Sequence, residues 1–298
     1  MISIVIPTFN NKDQFLQNLK NNIIFFGKNE IIIVNDDPHM DLQPYLKQFP
    51  YIRLIQNNKN LGFSGAIDIG IRKAESDYIF LLNDDVLLLS NGYMKAVDNF
   101  KRDHSLFAVS FSQKEKNEVI VGKNILYWSK GLMHHSKAKD LKSGVNAWAE
   151  GGVSLIDKKK YTTLGGFDQL YNPFYWEDID LSYQAWKQGY KIIFDSETIV
   201  IHYHESTISQ NFSQQFIKTI AYRNQFIFIW KNISDINLIL QHILLLPYNM
   251  LYYLYKGEKG FAIGFLAALK NLGVILEKRT YSNKKRVVSD MEILNQYV

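Results

Sequence analysis

The 298-residue chain contains no cysteine, which excludes disulfides, thiolate zinc sites and cysteine nucleophiles and fits a reducing compartment, the cytoplasm by default. It also lacks a recognisable nucleic-acid module, an internal repeat and a low-complexity linker. No basic n-region accompanies the short apolar run Met1-Ile2-Ser3-Ile4-Val5-Ile6-Pro7, so that segment reads as a buried first strand rather than a secretory signal. A clean membrane span is missing too. Residues Ile236 to Tyr255 approach the length that crosses a bilayer, but Gln241, His242, Pro247 and Asn249 interrupt them; Phe261 to Leu276 is shorter and carries Lys270 and Asn271. Both segments are expected to be helices that pack or lie in an interface.

What is present is apolar material for a sizeable core, 47% of residues, in a chain long enough for one large α/β domain with an appendage. The net charge of +5 is modest, but Lys278, Arg279, Lys284, Lys285 and Arg286 crowd behind the two apolar segments. Such a patch favours an anionic surface, and its apolar neighbours point to lipid rather than nucleic acid.

The first half alternates extended apolar runs with helical patterns. Strands are expected at Ile2 to Pro7, Glu30 to Val34, Ile52 to Gln56 and Tyr78 to Leu82, with helices from about Lys12 to Asn22 and Ser64 to Glu75. This alternation predicts a mainly parallel sheet covered by helices, with ligands bound beyond the carboxyl ends of its strands. Polar residues follow each run: Thr8 to Asn10, Asn35 to Asp37, Asn57 to Asn60 and Asn83 to Asp85. From about Ala108 to Ala149 the pattern is irregular, compatible with a hairpin or a loop over the cleft. A strand from Trp148 to Ile156, a short helix from Lys158 to Leu164, a helix from Asp178 to Gln188 ended by Gly189, and strands at Tyr190 to Phe194 and Ile199 to His204 follow.

Two acidic clusters stand out. Leu82-Asn83-Asp84-Asp85-Val86 closes an apolar run, where a bound cation could gather the carboxylates. In Phe174-Tyr175-Trp176-Glu177-Asp178-Ile179-Asp180-Leu181, three carboxylates sit among large apolar residues, where burial raises a carboxyl pKa as a general base requires. Together they suggest a metal-dependent transferase with a separate base.

Six motifs carry a resemblance over about residues 1 to 230: Val5-Ile6-Pro7-Thr8-Phe9-Asn10, Ile31-Ile32-Ile33-Val34-Asn35-Asp36-Asp37, Asn60-Leu61-Gly62-Phe63-Ser64-Gly65, Leu82-Asn83-Asp84-Asp85-Val86, Gly165-Gly166-Phe167-Asp168 and Trp176-Glu177-Asp178-Ile179-Asp180-Leu181. In this order they resemble the inverting family 2 glycosyltransferases of GT-A fold, in particular the rhamnosyltransferase-like branch of bacterial surface-polysaccharide synthesis. The resemblance implies that Pro7, Thr8, Asn10, Asp36, Asp37, Asn60, Gly62 and Asp84 bind the donor nucleotide, with either Asp36 or Asp37 facing the base. It implies Asp85 as direct ligand of a divalent metal, Mn²⁺ or Mg²⁺, with His202 preferred over His204 as a second ligand. Asp178 would be the general base, and Glu177 would support it or hold acceptor hydroxyls. Trp176, Tyr175 and Asp180 would line the acceptor, with core packing the alternative for the two aromatics and helix-start bonding for Asp180. Arg223 would pair with phosphate or cap packing. The chain departs from the family at Asn35 and Asn83, where acids are commoner, and at Asp68, where Asn is often found.

The expected organisation is a GT-A domain over residues 1–230 and a helical, basic, membrane-associating extension over 231–298. The expected function is transfer of a sugar from a UDP- or dTDP-sugar to a hydroxyl of a glycan or lipid-linked acceptor, at the cytoplasmic face of the membrane and without nucleic acid. Two alternatives stand beside it. One is a nucleotidyltransferase, although Pro7-Thr8-Phe9-Asn10 lacks a basic, glycine-rich phosphate loop. The other is a catalytically silent nucleotide- or glycan-binding membrane scaffold.

Overall fold

Runs of Ile, Val and Leu too continuous to leave a polar face build the centre of the molecule. Strands β1 (Ile2–Thr8) and β2 (Glu30–Asn35) are buried along almost their whole length, as strands covered on both faces must be. The computed structural model describes residues 1–202 and 212–297. Its other strands are β3 (Ile52–Gln56), β4 (Tyr78–Leu82), β5 (Val86–Leu88), β6 (Leu106–Lys114), β7 (Ile120–Val121), β8 (Asn124–Ser129), β9 (Leu132–Lys137), β10 (Gly144–Val145), β11 (Val153–Asp157) and β12 (Lys191–His202). The main sheet runs β10-β12-β6-β11-β4-β1-β2-β3. Strands β1, β2, β3, β4, β6 and β12 all point one way, and β11 is wedged antiparallel between β4 and β6. The sheet is therefore mainly parallel, as the alternation predicts.

Helices α1 (Lys12–Phe26), α2 (Gln43–Leu46), α3 (Gly62–Lys73) and α4 (Val97–Arg102) serve the first half, and α5 (Lys158–Leu164) and α6 (Glu177–Lys187) follow β11. Then come α7 (Gln214–Asn232), α8 (Ile236–Tyr255), α9 (Lys259–Leu269), α10 (Leu272–Lys284) and α11 (Asp290–Leu294). Helix α3 lies close on β1 because Gly70 has no side chain: a Cβ there would stand 2.4 Å from Val5 Cγ1. Gly189, at φ +79°, ends α6 as expected.

Three expectations change in detail. The strand expected from Trp148 begins only at Val153, because Glu150 to Gly152 form a turn. Tyr190 to Phe194 and the later run form one strand, β12, with an irregularity between Asp195 and Ile199; His204 lies outside the described residues. The irregular stretch resolves into β6, β7, β10 and the separate hairpin β8–β9.

The C-terminal helices share the main core. Phe261, Ala268, Ile275 and Ile293 join the same cluster as Ile32 and Leu81, and residue 230 falls in the last turn of α7. Helix α8 is built inside out. Its polar residues face the β8–β9 hairpin: His242 Nδ1 pairs with the Gly131 carbonyl at 2.7 Å, Asn249 Nδ2 donates to the Lys130 carbonyl at 2.8 Å, and Gln241 Oε1 accepts from Trp128 Nε1 at 3.0 Å. Its apolar side is turned outward, with Leu240, Ile243, Leu244, Leu251 and Tyr255 exposed. Among the described residues no single helix is long and apolar enough to cross a membrane; α9 with the first part of α10 meets the length and composition requirement only as a pair bent by 67°.

Charges buried between α6 and α7 hold these layers together. Lys231 Nζ lies 2.6 Å from Asp168 Oδ2 and 2.7 Å from Asp180 Oδ2, with Lys278 Nζ on Asp168 Oδ1 at 2.8 Å. Tyr171 and Asn232 each donate to Asp180 Oδ1 at 2.7 Å. Removing one partner of a buried pair strands the other charge, so Lys231→Ala is expected to cost about 3–5 kcal/mol. Urea unfolding should show this as a lower midpoint at an unchanged slope.

Candidate active site

Strand direction gathers the polar residues on one edge. Thr8, Asn35 and His202 end β1, β2 and β12, Gln113 is the penultimate residue of β6, and Asn83 to Asp85 follow β4. Because β11 runs the opposite way, the turn that precedes it, Glu150 to Gly152, reaches the same edge. The turn passes close to the β4 end: a Cβ on Gly152 would stand 2.5 Å from Asn83 Nδ2, and Asn83 N donates to the Gly152 carbonyl at 2.8 Å.

The loop after β4 is clamped from α1, where Asn18 and Asn22 stand one turn apart. Asn18 Nδ2 donates to the Asp84 carbonyl at 2.8 Å, while Asn22 donates to the Val86 carbonyl and accepts from Leu88 N, both at 2.8 Å. Strand β5 pairs antiparallel with β12 at Val86 and His202, which carries Asp85 to the end of β12. Asp85 Oδ1 lies 3.1 Å from His202 Nε2 and, among the described residues, accepts no hydrogen bond although it is buried. The carboxylate oxygen suits Mn²⁺ or Mg²⁺, and the imidazole nitrogen beside it favours Mn²⁺, the softer of the two. No group of three or more His, Cys, Asp and Glu gathers among the described residues, so further ligands would be phosphate oxygens and water, the usual arrangement for Mg²⁺ with a nucleotide.

The residues assigned to the nucleotide cluster around β1 and β2. Thr8 Oγ1 donates to Asp84 Oδ2 at 2.6 Å. Burial pushes Asp84 up to about 7, the neighbouring Asp85 charge adding to it and the Thr8 bond opposing it. Asp36 stitches the loop into α3: it accepts from Leu61 N, from Gly62 N at 2.8 Å and from Asn57 Nδ2 at 2.8 Å. Burial raises its pKa, against these bonds. Asn60 Oδ1 also accepts from Gly62 N at 2.8 Å, and Gly62 takes φ +74°. Asp37 accepts from His39 N at 2.9 Å, Pro7 is buried, and Asn10 is exposed at φ +52°. Asn35 departs from the acid for a physical reason, since its amide donates to the Met40 carbonyl at 2.6 Å and to Gln56 Oε1 at 2.8 Å. A carboxylate cannot donate.

At the start of α6, two non-glycine residues in succession adopt left-handed backbone, Tyr175 at φ +70° and Trp176 at φ +77°. Such positions cost about 1–3 kcal/mol each and persist only where neighbours enforce them. Asn224 of α7 does so, its Nδ2 donating to the carbonyls of Tyr171, Phe174 and Tyr175 at 2.8–2.9 Å. Arg223 bonds the carbonyls of Tyr171 and Asn172, which answers its packing alternative. The bend delivers Glu177 and Asp178 to the first turn. Burial pushes Asp178 up to about 7, with the Glu150 carboxylate adding to it and the Ile179 and Gly151 amides opposing. Burial pushes Glu177 up to about 8, with Asp178 adding to it.

Two assigned acceptor residues are corrected. Asp180 is fully buried in the Lys231 network, because the third carboxylate of the turn points into the helix interface. Trp176 is 4% exposed and packs on Phe228 at 5.1 Å and His135 at 5.3 Å between ring centres, so it belongs to the core. Tyr175 remains exposed beside Phe174. Sequence reasoning passed over Asn224, Glu150, Gln113, Asn18 and Asn22. Only the α1 pair carried a signal: two asparagines one helical turn apart on a buried face.

The sequence matches Glycosyl transferase family 2 over residues 3–164, more than half of the chain. The chain belongs to this family. The family 2 match includes Asp36, Asp84, Asp85 and Glu150 and stops short of Glu177. The chain is 26% identical over 199 residues to the poly-beta-1,6-N-acetyl-D-glucosamine synthase of Staphylococcus aureus (strain MSSA476), covering 65% of this chain and 48% of the synthase. It therefore spans about half the length of that relative. It is 23% identical over 225 residues to an O-antigen chain rhamnosyltransferase of Salmonella typhimurium, covering 72% of this chain and 70% of the relative. Among solved structures, GalNAc-T7 with UDP, GalNAc and Mn²⁺ superposes with a TM-score of 0.63 at 17% identity, over 79% of this chain and 48% of that one. A mannosyltransferase of Pyrobaculum calidifontis with GDP-Man and Mn²⁺ superposes with a TM-score of 0.54 at 14% identity, over 95% and 83%. The fold is the expected GT-A fold.

A carboxyl raised by burial and a like charge should titrate accordingly. In ¹³C-carboxyl-labelled protein, the Asp178 resonance is expected to move with a midpoint near 7. Glu150→Gln removes the negative charge and should lower that midpoint; an Asp178 midpoint in the ordinary range near 4 would contradict the burial argument.

Proposed function

We propose that this family 2 member is a metal-dependent inverting glycosyltransferase, moving a sugar from a UDP- or dTDP-sugar to a hydroxyl of a glycan or lipid-linked acceptor in cell-surface polysaccharide synthesis. The observation that carries the reading is the paired arrangement on one sheet edge: Asp85 beside His202 at 3.1 Å, and Asp178, with its pKa near 7, within the field of Glu150 at the same edge. The Mn²⁺ held by both solved neighbours, with UDP and GalNAc in one and GDP-Man in the other, supports it by analogy of fold.

The chemistry follows from these residues. Asp36, Asp37, Asn60 and the Gly62 turn would hold base and ribose, with Pro7, Thr8, Asn10 and Asp84 along the floor. Asp85 and His202 would hold a divalent cation, Mn²⁺ or Mg²⁺, which supplies charge neutralisation to the diphosphate. The acceptor oxygen attacks the anomeric carbon opposite the diphosphate, Asp178 takes the hydroxyl proton, and the breaking carbon–oxygen bond leaves its electron pair on the nucleoside diphosphate. A base near pH 7 is matched to that proton. Glu177, protonated at neutral pH by its raised pKa, would donate a hydrogen bond to an acceptor hydroxyl, and exposed Tyr175 would stack on the acceptor sugar.

Where the acceptor is lipid-linked, the protein must meet the bilayer. The outward apolar side of α8 supports peripheral association with the inner face of the cytoplasmic membrane. The helix carries no acidic residue, and Lys130 and Lys256 stand over the Tyr252 ring near its C-terminal end. That charge suits anionic lipid.

Thermal shift with UDP, dTDP, GDP and CDP, each with and without Mn²⁺, should show a metal-dependent rise for one nucleotide. Asp85→Ala should abolish the metal-dependent part of that rise. Asp178→Asn should keep it and lower kcat at least about 100-fold. Equal loss of binding in both variants would overturn the assigned roles. Separately, the protein should sediment with vesicles containing anionic lipid, and Leu244→Glu with Leu251→Glu should release it; sedimentation unaffected by both changes would remove α8 from the interface.

A further inference from the structure

We propose that Gln113, held by Glu150, is a positioning residue that fixes the tautomer of His202 so that Nε2 faces Asp85 as a lone-pair donor. This deepens the metal-dependent reading and rests on it. Gln113 is fully buried near the end of β6, next to β12 in the sheet. Its Nε2 donates to Glu150 Oε2, and its Oε1 lies 2.6 Å from His202 Nδ1. Glu150 is fixed in turn, since its Oε1 accepts from Asn124 Nδ2 at 3.0 Å.

The donor and acceptor roles leave one consistent assignment. A carboxylate only accepts, so the nitrogen end of the Gln113 amide must face Glu150 and the oxygen end must face His202. That oxygen only accepts, so His202 must donate from Nδ1. A neutral imidazole has one N–H, and placing it on Nδ1 leaves Nε2 as the ligand atom. Nε2 and Asp85 Oδ1 are 3.1 Å apart, close to the separation of about 3 Å for neighbouring ligands about 2.1 Å from an octahedral cation. In the other tautomer Nε2–H would donate to Asp85, and the two ligands would satisfy each other instead of a metal. The row Glu150, Gln113, His202 therefore acts as a second layer of hydrogen bonds that sets the ligand orientation.

The tautomer can be read without turnover. In ¹⁵N-histidine-labelled protein treated with chelator, long-range ¹H–¹⁵N correlation should show His202 protonated on Nδ1, with His202→Gln supplying the assignment. Gln113→Leu should shift it toward the Nε2–H form and weaken binding of Mn²⁺ alone, followed by the electron paramagnetic resonance of free Mn²⁺, by about 10–100-fold. The double variant Gln113→Glu with Glu150→Gln reverses the amide and carboxylate but keeps every donor facing an acceptor, so it should restore both the tautomer and the affinity. An Nε2–H tautomer in the unsubstituted protein, unchanged Mn²⁺ affinity in Gln113→Leu, or a folded double variant that binds no better than Gln113→Leu would each overturn the proposal. Nδ1–H in a protein that binds no Mn²⁺ would instead overturn the metal reading, and the proposal with it.

Discussion

The buried ammonium of Lys231 sets the position of nearly everything around the cleft. Burial by itself would lower its pKa, but Asp180 and Asp168 raise it, so the lysine stays charged between two carboxylates from different parts of the chain. Asp180 lies in the same helical turn as Glu177 and Asp178, which means that an ion pair made at the back of α6 fixes the rotation of its front. Helix α7 contributes both this lysine and Asn224, one at each end of the bend that enters α6. An apolar replacement of such a network can match its stability, but it has no directional bonds with which to hold a helix in one rotation.

The front of that turn shows two effects in competition. A helix N-terminus favours negative charge by roughly 0.3–1 kcal/mol at exposed sites, which would keep carboxyl pKa values low. Desolvation and the mutual repulsion of Glu177, Asp178 and Glu150 act the other way and win. A comparable contest runs at Asp84, where burial outweighs the Thr8 hydroxyl. Carboxylates on both sides of the cleft thus arrive at raised affinity for protons without any shared sequence motif, through burial at the carboxyl edge of one sheet.

Much of this was legible in the sequence because it rests on strand ends. An apolar run followed by Asp or Asn marks where a buried strand reaches solvent, and the stretches holding Thr8, Asp36 and Asp85 stood out that way, whereas His202 was singled out through the family resemblance. Periodicity could not tell which of three clustered acids faces the cleft, so Asp180 was misassigned; its partner, Lys231, sits some fifty residues away in sequence. Trp176 was misread for a similar reason, since its left-handed backbone turns the ring inward against Phe228. Gln113 gave no signal, being one of many polar residues in an irregular stretch, and Glu150 gave none because it fell inside the strand expected from Trp148 to Ile156; both are defined only by long-range contacts.

The antiparallel hairpin β8–β9 joins two features that are far apart in the chain. Its turn receives the polar face of α8 through Lys130 and Gly131, and its other strand places His135 between Trp148 and Trp176, with ring centres 5.6 and 5.3 Å away. The helix with the outward apolar side and the tryptophan two residues before Asp178 are thus braced by one ribbon. For a protein seated on lipid by that helix, the cleft has a fixed height and tilt above the bilayer. Reach would then become a selection rule for the proposed transfer: an acceptor hydroxyl would be used only if its own tether presented it at that height, whatever the sugar that bears it.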